Sequence, residues 1–178
     1  MQYDTPYTYS RFSKVLHWLS ALLIFALFGV GFWMVDLSYY DAGYQLAPHY
    51  HNSIGITLGG LILVRVLWRI RNTKPSALAS HSTLEKSLSY IAHLLLYLLI
   101  FSVLIVGYLI STEDGRGIEV FNWFTLPSIG KLFDDQVDIA GNLHRWLAYT
   151  LITLSSLHGI AAFKHHYYDK DETLKRML

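Results

Sequence analysis

Four long apolar stretches constrain this chain more than any other feature of its sequence. They cover residues 15–35, 51–70, 88–110 and 143–165, and the first and third contain no charged residue. Because a helix rises about 1.5 Å per residue, about 20 residues cross a hydrocarbon core of roughly 30 Å. The sequence therefore predicts an all-α integral membrane protein, a bundle of four transmembrane helices.

Composition supports one membrane domain over residues 1–178. Hydrophobic residues make up 53% of the chain, charged residues only 15%, and the mean hydropathy is +0.32. The first apolar stretch is too long for a signal peptide and lacks a small-residue cleavage site, so we expect it to remain as a helix. The chain has no cysteine, which excludes disulfides, Cys-ligated iron–sulfur clusters and covalently attached c-type haem. The net charge of +1, with no single basic patch, gives no indication of a nucleic-acid partner.

The positions of lysine and arginine predict the orientation of the four helices. Most of these residues lie before the first stretch, between the second and third, or after the fourth. Under the positive-inside rule both termini are therefore expected in the cytoplasm. The basic residues concerned are Arg11, Lys14, Arg69, Arg71, Lys74, Lys86, Lys164, Lys170, Lys175 and Arg176.

The two connections on the opposite side, residues 36–50 and 111–140, are acidic. They contain only two basic residues, Arg116 and Lys131, with Arg145 just inside the fourth stretch. The aromatic residues of the second connection predict a short amphipathic segment at the membrane interface, where aromatic rings concentrate. That segment comprises Phe121, Trp123, Phe124 and Pro127, and the acids of both connections are Asp36, Asp41, Glu113, Asp114, Glu119, Asp134, Asp135 and Asp138.

Five histidines lie near or inside the apolar stretches, and each is a functional hypothesis because a membrane histidine needs a partner. His144 and His158 are fourteen residues apart on the last stretch. Fourteen residues are close to four helical turns, so both side chains lie on one stripe about 21 Å apart. This spacing predicts two flat cofactors at different depths, each taking one axial ligand from the same helix.

The second ligands must come from other helices at matching depths. At the acidic side His51 begins the second stretch and is the expected partner of His144; His49 points elsewhere and follows Pro48. At the basic side, His17 and His93 both lie at the depth of His158. A b-type haem with two imidazole ligands uses two neutral histidines per iron, so five histidines for four positions leave one over. Spacing alone does not choose between His17 and His93.

Two further residues of the second stretch bear on cofactor binding. Gly55 lies one turn after His51 and begins a G-x-x-x-G pattern with Gly59, which indicates either close helix packing or room for a porphyrin against the backbone. Arg65 lies fourteen residues after His51. Its guanidinium either extends to the interface or pairs with a haem propionate.

Several motifs together resemble the bacterial cytochrome b561 family, which includes superoxide:ubiquinone oxidoreductases and is related to the cytochrome b subunit of nickel-iron hydrogenases. The likeness covers almost the full length, and the H-x13-H spacing and the closing H-H-Y are its specific elements. The matching segments are R-F-S-K-V-L-H-W at 11–18, H-N-S-I-G-I at 51–56, V-R-V-L-W-R at 64–69, A-H-L-L-L-Y-L-L at 92–99, L-H-R-W-L-A at 143–148 and L-H-G-I-A-A-F-K-H-H-Y-Y-D-K-D-E-T-L-K-R-M at 157–177.

The resemblance implies two non-covalent b-type haems in a bundle of the bacterial inner membrane. It implies His17 with His158 as ligands of the inner haem iron and His51 with His144 as ligands of the outer one, which leaves His93 spare. It places ubiquinone near the cytoplasmic end of the fourth helix, where the candidate residues are Lys164, His165 and His166.

The predicted function is electron transfer by an oxidoreductase between an extracytoplasmic one-electron donor, with superoxide as one candidate, and ubiquinone. The alternative is a membrane-anchored haem relay that serves an extracytoplasmic protein partner. The acidic connections favour a basic partner and weigh against superoxide, an anion.

Overall fold

The computed structural model describes residues 3–178, most of which lie in four long helices. These are α1 (Arg11–Met34), α2 (Leu46–Arg71), α3 (Thr83–Ser111) and α4 (Gln136–Tyr167). Each of the four is long and apolar enough to cross a membrane. Each predicted stretch falls on one helix, so the predicted four-helix membrane fold is confirmed.

Serine caps determine where α1 and α3 begin. The Ser10 hydroxyl accepts a hydrogen bond from the backbone N–H of Ser13. Ser82 and Glu85 form a reciprocal capping box at the start of α3. Such caps satisfy backbone N–H groups that have no partner inside the helix.

Many apolar side chains of the helices face outward. Leu22, Leu63 and Ile105 are 66%, 54% and 59% exposed, respectively. A soluble protein rarely exposes apolar area on this scale, whereas a bilayer accepts it. The buried core is small and consists of Leu58, Ile62, Ile100 and Leu151.

The bundle is built from two helix pairs. α1 packs along α2, and α3 packs along α4, while contacts between the two pairs are sparser. The space between the pairs is where the histidines lie.

The connection between α3 and α4 contains a β-hairpin that the sequence analysis did not predict. Strand β1 (Ile118–Val120) pairs antiparallel with β2 (Phe124–Leu126). The Ser53 hydroxyl of α2 donates to the carbonyl of Glu119 and accepts from the N–H of Phe121. The hairpin therefore docks on α2 close to His51, and we call this end of the bundle the hairpin end.

The other end, which we call the terminal end, gathers the segments before α1, between α2 and α3, and after α4. The Trp18 indole N–H donates to the carbonyl of Met177 at 2.7 Å. The Arg176 guanidinium donates to the carbonyl of Ser76 at 2.6 Å, and the N–H of Ser76 donates to the carbonyl of Pro6. The three segments are thus joined by hydrogen bonds.

Candidate cofactor site between the helix pairs

At the hairpin end, the structure brings His51 of α2 and His144 of α4 together. Their ring centres are 6.2 Å apart and their planes are inclined by 69°. Both rings are half-buried.

At the terminal end, two histidines face His158 of α4. The ring of His17, from α1, is centred 6.4 Å away at an angle of 72°. The ring of His93, from α3, is closer, at 5.1 Å and 71°. The His17–His158 pair therefore has nearly the same geometry as the His51–His144 pair.

These separations can be compared with the requirement of a metal between two imidazoles. A metal–imidazole bond is about 2 Å and a ring centre lies about 1 Å beyond its nitrogen, so imidazoles on opposite sides of one ion are centred about 6 Å apart. The pairs at 6.2 and 6.4 Å meet this requirement. The separation of 5.1 Å between His93 and His158 is too short. The residues present therefore fit a metal cofactor at each end of α4.

Hydrogen bonds fix which ring nitrogen can bind a metal. The Nδ1–H of His144 donates to the carbonyl of Val103 at 3.1 Å, and the Nδ1–H of His93 donates to that of Ser89 at 2.7 Å. Their Nε2 atoms therefore keep a lone pair, the arrangement typical of metal-ligating histidine. The Nδ1 of His51 is buried without a hydrogen-bond partner among the described residues.

His17 is held differently, by Arg65. The guanidinium donates to Nδ1 of His17 at 2.8 Å, because arginine has no acceptor atom. The same guanidinium lies 5.6 Å from the centre of the Tyr97 ring. Arg65 thus points into the space between the helix pairs rather than out to the interface. In this arrangement the proton of neutral His17 is on Nε2.

Two glycines allow the outer histidine rings to approach neighbouring helices, and the sequence analysis did not identify either. A Cβ on Gly31 of α1 would lie 3.2 Å from the ring of His51, and a Cβ on Gly107 of α3 would lie 3.0 Å from that of His144. In the sequence, each of these two positions is recognisable only as a glycine in an apolar stretch at the same depth as an outer histidine. Gly55 differs, because a Cβ at this position would meet nothing within 4 Å. This favours open space beside Gly55 over close helix packing. A Cβ on Gly59, by contrast, would contact the side chain of Leu104 at 3.5 Å.

A cavity of about 750 Å³ extends from the inner histidines to the terminal end. This volume lies in the range of cofactor pockets, roughly 300 to 1,000 Å³. Its wall includes His17, His93, His158 and Arg65, together with residues of the terminal end such as Trp18 and Met177.

The three residues suggested for the quinone side do not line this cavity. Lys164 pairs with Asp169 at 2.6 Å, and Nδ1 of His165 lies 2.8 Å from the same carboxylate. Nδ1 of His166 is buried without a hydrogen-bond partner among the described residues. His81, which does line the cavity, has its ring 4.7 Å from that of His165.

Basic residues near the hairpin end have local polar partners. Arg116 pairs with Asp114 at 2.6 Å and Lys131 with Asp134 at 3.0 Å, while Arg145 donates to the side-chain oxygen of Asn142. The hydrogen bond from Arg116 holds the pKa of Asp114 below its usual value, so this carboxyl stays ionised. Arg116 and Lys131 therefore do not form an unpaired positive patch.

The fold and the site define a class, a four-helix membrane protein with histidines paired between its helix pairs. The sequence profile described as prokaryotic cytochrome b561 matches residues 8–178. The chain is 49% identical to "Cytochrome b561 homolog 2" of Escherichia coli (strain K12), over 98% of this chain and 93% of the relative.

More distant relatives cover a similar share of the chain. It is 28% identical to "Probable superoxide oxidase CybB" of Yersinia pestis, over 96% of this chain and 95% of the relative. It is 25% identical to "Cytochrome b561 homolog 1" of Escherichia coli (strain K12), over 95% of this chain and 97% of the relative. The chain belongs to the prokaryotic cytochrome b561 family, whose members are multi-pass membrane cytochromes of b type.

Proposed function

We propose that this protein is a diheme b-type cytochrome of the bacterial inner membrane that transfers electrons between an extracytoplasmic one-electron donor and ubiquinone. The observation that carries the proposal is the repeated geometry at the two ends of α4, 6.2 Å and 69° at one end and 6.4 Å and 72° at the other. Two pairs with the same spacing suit two cofactors of one kind.

In this proposal His51 and His144 hold the outer haem iron, and His17 and His158 hold the inner one. A propionate of the inner haem would accept the guanidinium of Arg65 as a bidentate ion pair. Nδ1 of His17 would then carry the proton and Nε2 would offer its lone pair to iron. The open space beside Gly55 would admit the face of the outer haem.

Bound haem iron would supply reversible one-electron chemistry, and the chain's own residues would set its environment. The Val103 carbonyl orients His144 and makes it a stronger ligand. Apolar side chains of the helices exclude water from the histidines, which favours the neutral imidazoles that ligation needs.

The terminal end is the proposed cytoplasmic and quinone-binding side. Its segments carry most of the lysines and arginines, as the positive-inside rule requires. Residues of this end line the cavity beside His158, so a quinone headgroup bound in it would lie close to the inner haem. Lys164, His165 and His166 remain quinone-side candidates, and His165 would act on the cavity through the ring of His81.

A second function, electron relay to or from an extracytoplasmic protein, is favoured by the hairpin end. Superoxide oxidation is suggested by the name of the Yersinia pestis relative at 28% identity. Superoxide is an anion, however, and Arg116 and Lys131 in the connection at the hairpin end are paired with carboxylates. The acidic face is better suited to a basic protein, which long-range electrostatics would steer toward the outer haem.

The purified protein is expected to contain two haems per chain. Its reduced optical spectrum should show the α band of a b-type cytochrome, and pyridine extraction should release the haem because the chain has no cysteine to attach it. Reoxidation of the reduced protein by a soluble ubiquinone analogue tests the quinone step. A colourless protein would refute the core of the proposal, and one haem per chain would refute the diheme assignment.

Ionic strength should distinguish the two kinds of donor. Stopped-flow reduction by a small basic redox protein should slow as salt shortens the Debye length from about 30 Å at 0.01 M to about 8 Å at 0.15 M. Reduction by superoxide should instead be slow at low salt, since like charges repel. Asp138→Asn at the hairpin end should weaken the salt dependence, whereas the control Glu172→Gln at the terminal end should not. Fast reduction by superoxide at low salt would favour superoxide as the donor.

A further inference from the structure

Two imidazoles and a carboxylate from three separate segments converge at the terminal end. His81 precedes α3, His165 lies in the last turns of α4, and Asp171 follows α4. One ligand atom from each lies within 4.8 Å of the others. Their side chains are only 15%, 16% and 9% exposed, so the cluster is enclosed rather than a chance meeting of surface groups.

Hydrogen bonding alone does not account for this cluster. Oδ2 of Asp171 lies 2.8 Å from Nε2 of His81 and 3.4 Å from Nδ1 of His165. Nδ1 of His165 is buried, and neither this contact nor the one to Asp169 is aligned as a hydrogen bond. A buried imidazole nitrogen with no aligned partner is costly, and a metal ion would satisfy it.

The carboxylate is prepared for a cation. The backbone N–H of Thr173 donates to Oδ1 of Asp171 at 2.8 Å, which leaves Oδ2 facing the two histidines. The carboxylate is therefore held in place by a neighbour, as metal-ligating carboxylates are.

We propose that His81, His165 and Asp171 bind a divalent cation of the zinc type. Two imidazoles and one carboxylate are ligands that zinc accepts, with a fourth position left for water. Ligand atoms around a tetrahedral zinc ion are spaced about 3.3 Å apart. The two carboxylate–imidazole distances of 2.8 and 3.4 Å are close to this value, and the two imidazole nitrogens lie within 4.8 Å of each other. Magnesium and calcium prefer oxygen ligands and are not expected to bind.

The metal would join the segment before α3, the end of α4 and the C-terminal segment. The C-terminal segment lines the cavity through Met177, and His81 lines it as well. Zinc would therefore restrain this part of the cavity wall and occupy the His81 imidazole, through which His165 would act on the cavity. This consequence rests on the proposed quinone side, whereas metal binding itself does not.

Tag-free full-length protein, purified with its haem, would be dialysed against zinc chloride and its zinc measured by mass spectrometry. About one zinc ion per chain is expected. Dialysis against excess magnesium chloride alone should leave no magnesium bound. His81→Ala and Asp171→Asn should each weaken zinc binding by about tenfold or more, while the control His49→Ala, at the opposite end, should bind like the unmodified protein. Haem content and helical circular dichroism report whether each variant is folded.

A measurement on the unmodified chain guards against misfolded variants. Zinc should slow tryptic cleavage after Lys170, which adjoins Asp171 and is exposed, and should not change cleavage after Arg116, which is exposed at the hairpin end. The proposal is wrong if zinc is not retained, if the two variants bind it as well as the control, or if cleavage after Lys170 is unaffected. Mass spectrometry measures iron and zinc separately, so a failure of the haem assignment can be told apart from a failure of the zinc proposal.

Discussion

Replacement of His17 by alanine is expected to remove the inner haem and leave the outer one, which halves the haem bound per chain. His17 is the residue whose ring is spaced from His158 as a bis-imidazole iron requires, at 6.4 Å. Loss of one axial imidazole should also remove one component from the redox titration. Haem per chain, from the pyridine haemochrome and a protein assay, is the direct measurement.

His93→Ala is the matched control, because His93 also faces His158 but at 5.1 Å. It should retain two haems, with at most a change in the midpoint potential of the inner one. The opposite result, with two haems in His17→Ala and one in His93→Ala, would assign the ligand role to His93. His158→Ala should lose the inner haem in either case.

Replacement of Gly31 by valine should displace His51 and deplete the outer haem. Even a Cβ at this position would come within 3.2 Å of the imidazole, and the larger side chain adds methyl groups in the same space. Overpacking of this kind costs about 1–3 kcal/mol. Since the ring must move, the outer pair loses its spacing, while the inner pair is unaffected. Haem content and the two midpoint potentials would be measured.

Gly29→Val provides the comparison on the same helix, two residues away. Gly29 is exposed, and a Cβ there meets nothing within 4 Å, so this variant should bind two haems with unchanged potentials. Both variants place the same β-branched residue in α1, which controls for the effect on helix stability. Normal outer haem in Gly31→Val would show that this close approach does not position His51.

The four helices could be predicted from the sequence because their signal is local. Length and hydropathy suffice to identify a membrane span. The β-hairpin could not be predicted in the same way. Its turn places Phe121 and Asn122 at positive φ, 47° and 63°, and phenylalanine gives no indication of such a conformation. Its docking depends on Ser53, which is distant along the chain.

The candidate site was predictable in part for a related reason. Helical periodicity places His144 and His158 on one stripe, but it does not give the rotation of one helix against another. Spacing alone therefore leaves His17 and His93 equivalent; the family resemblance favours His17, and the distances from His158 support the same choice. The glycines opposite the outer histidines, and the contact of Arg65 with His17, depend on the same rotations.

The division of the bundle into two helix pairs has a consequence for how the protein matures. On the proposed ligand set, each iron joins a histidine of the α1–α2 pair to one of α4, while direct contacts between the two halves are sparse. The cofactors would then act as the principal cross-links between the halves. Newly inserted chains would remain loosely closed until haem arrives, and haem supply would limit how much of this protein accumulates in the cell.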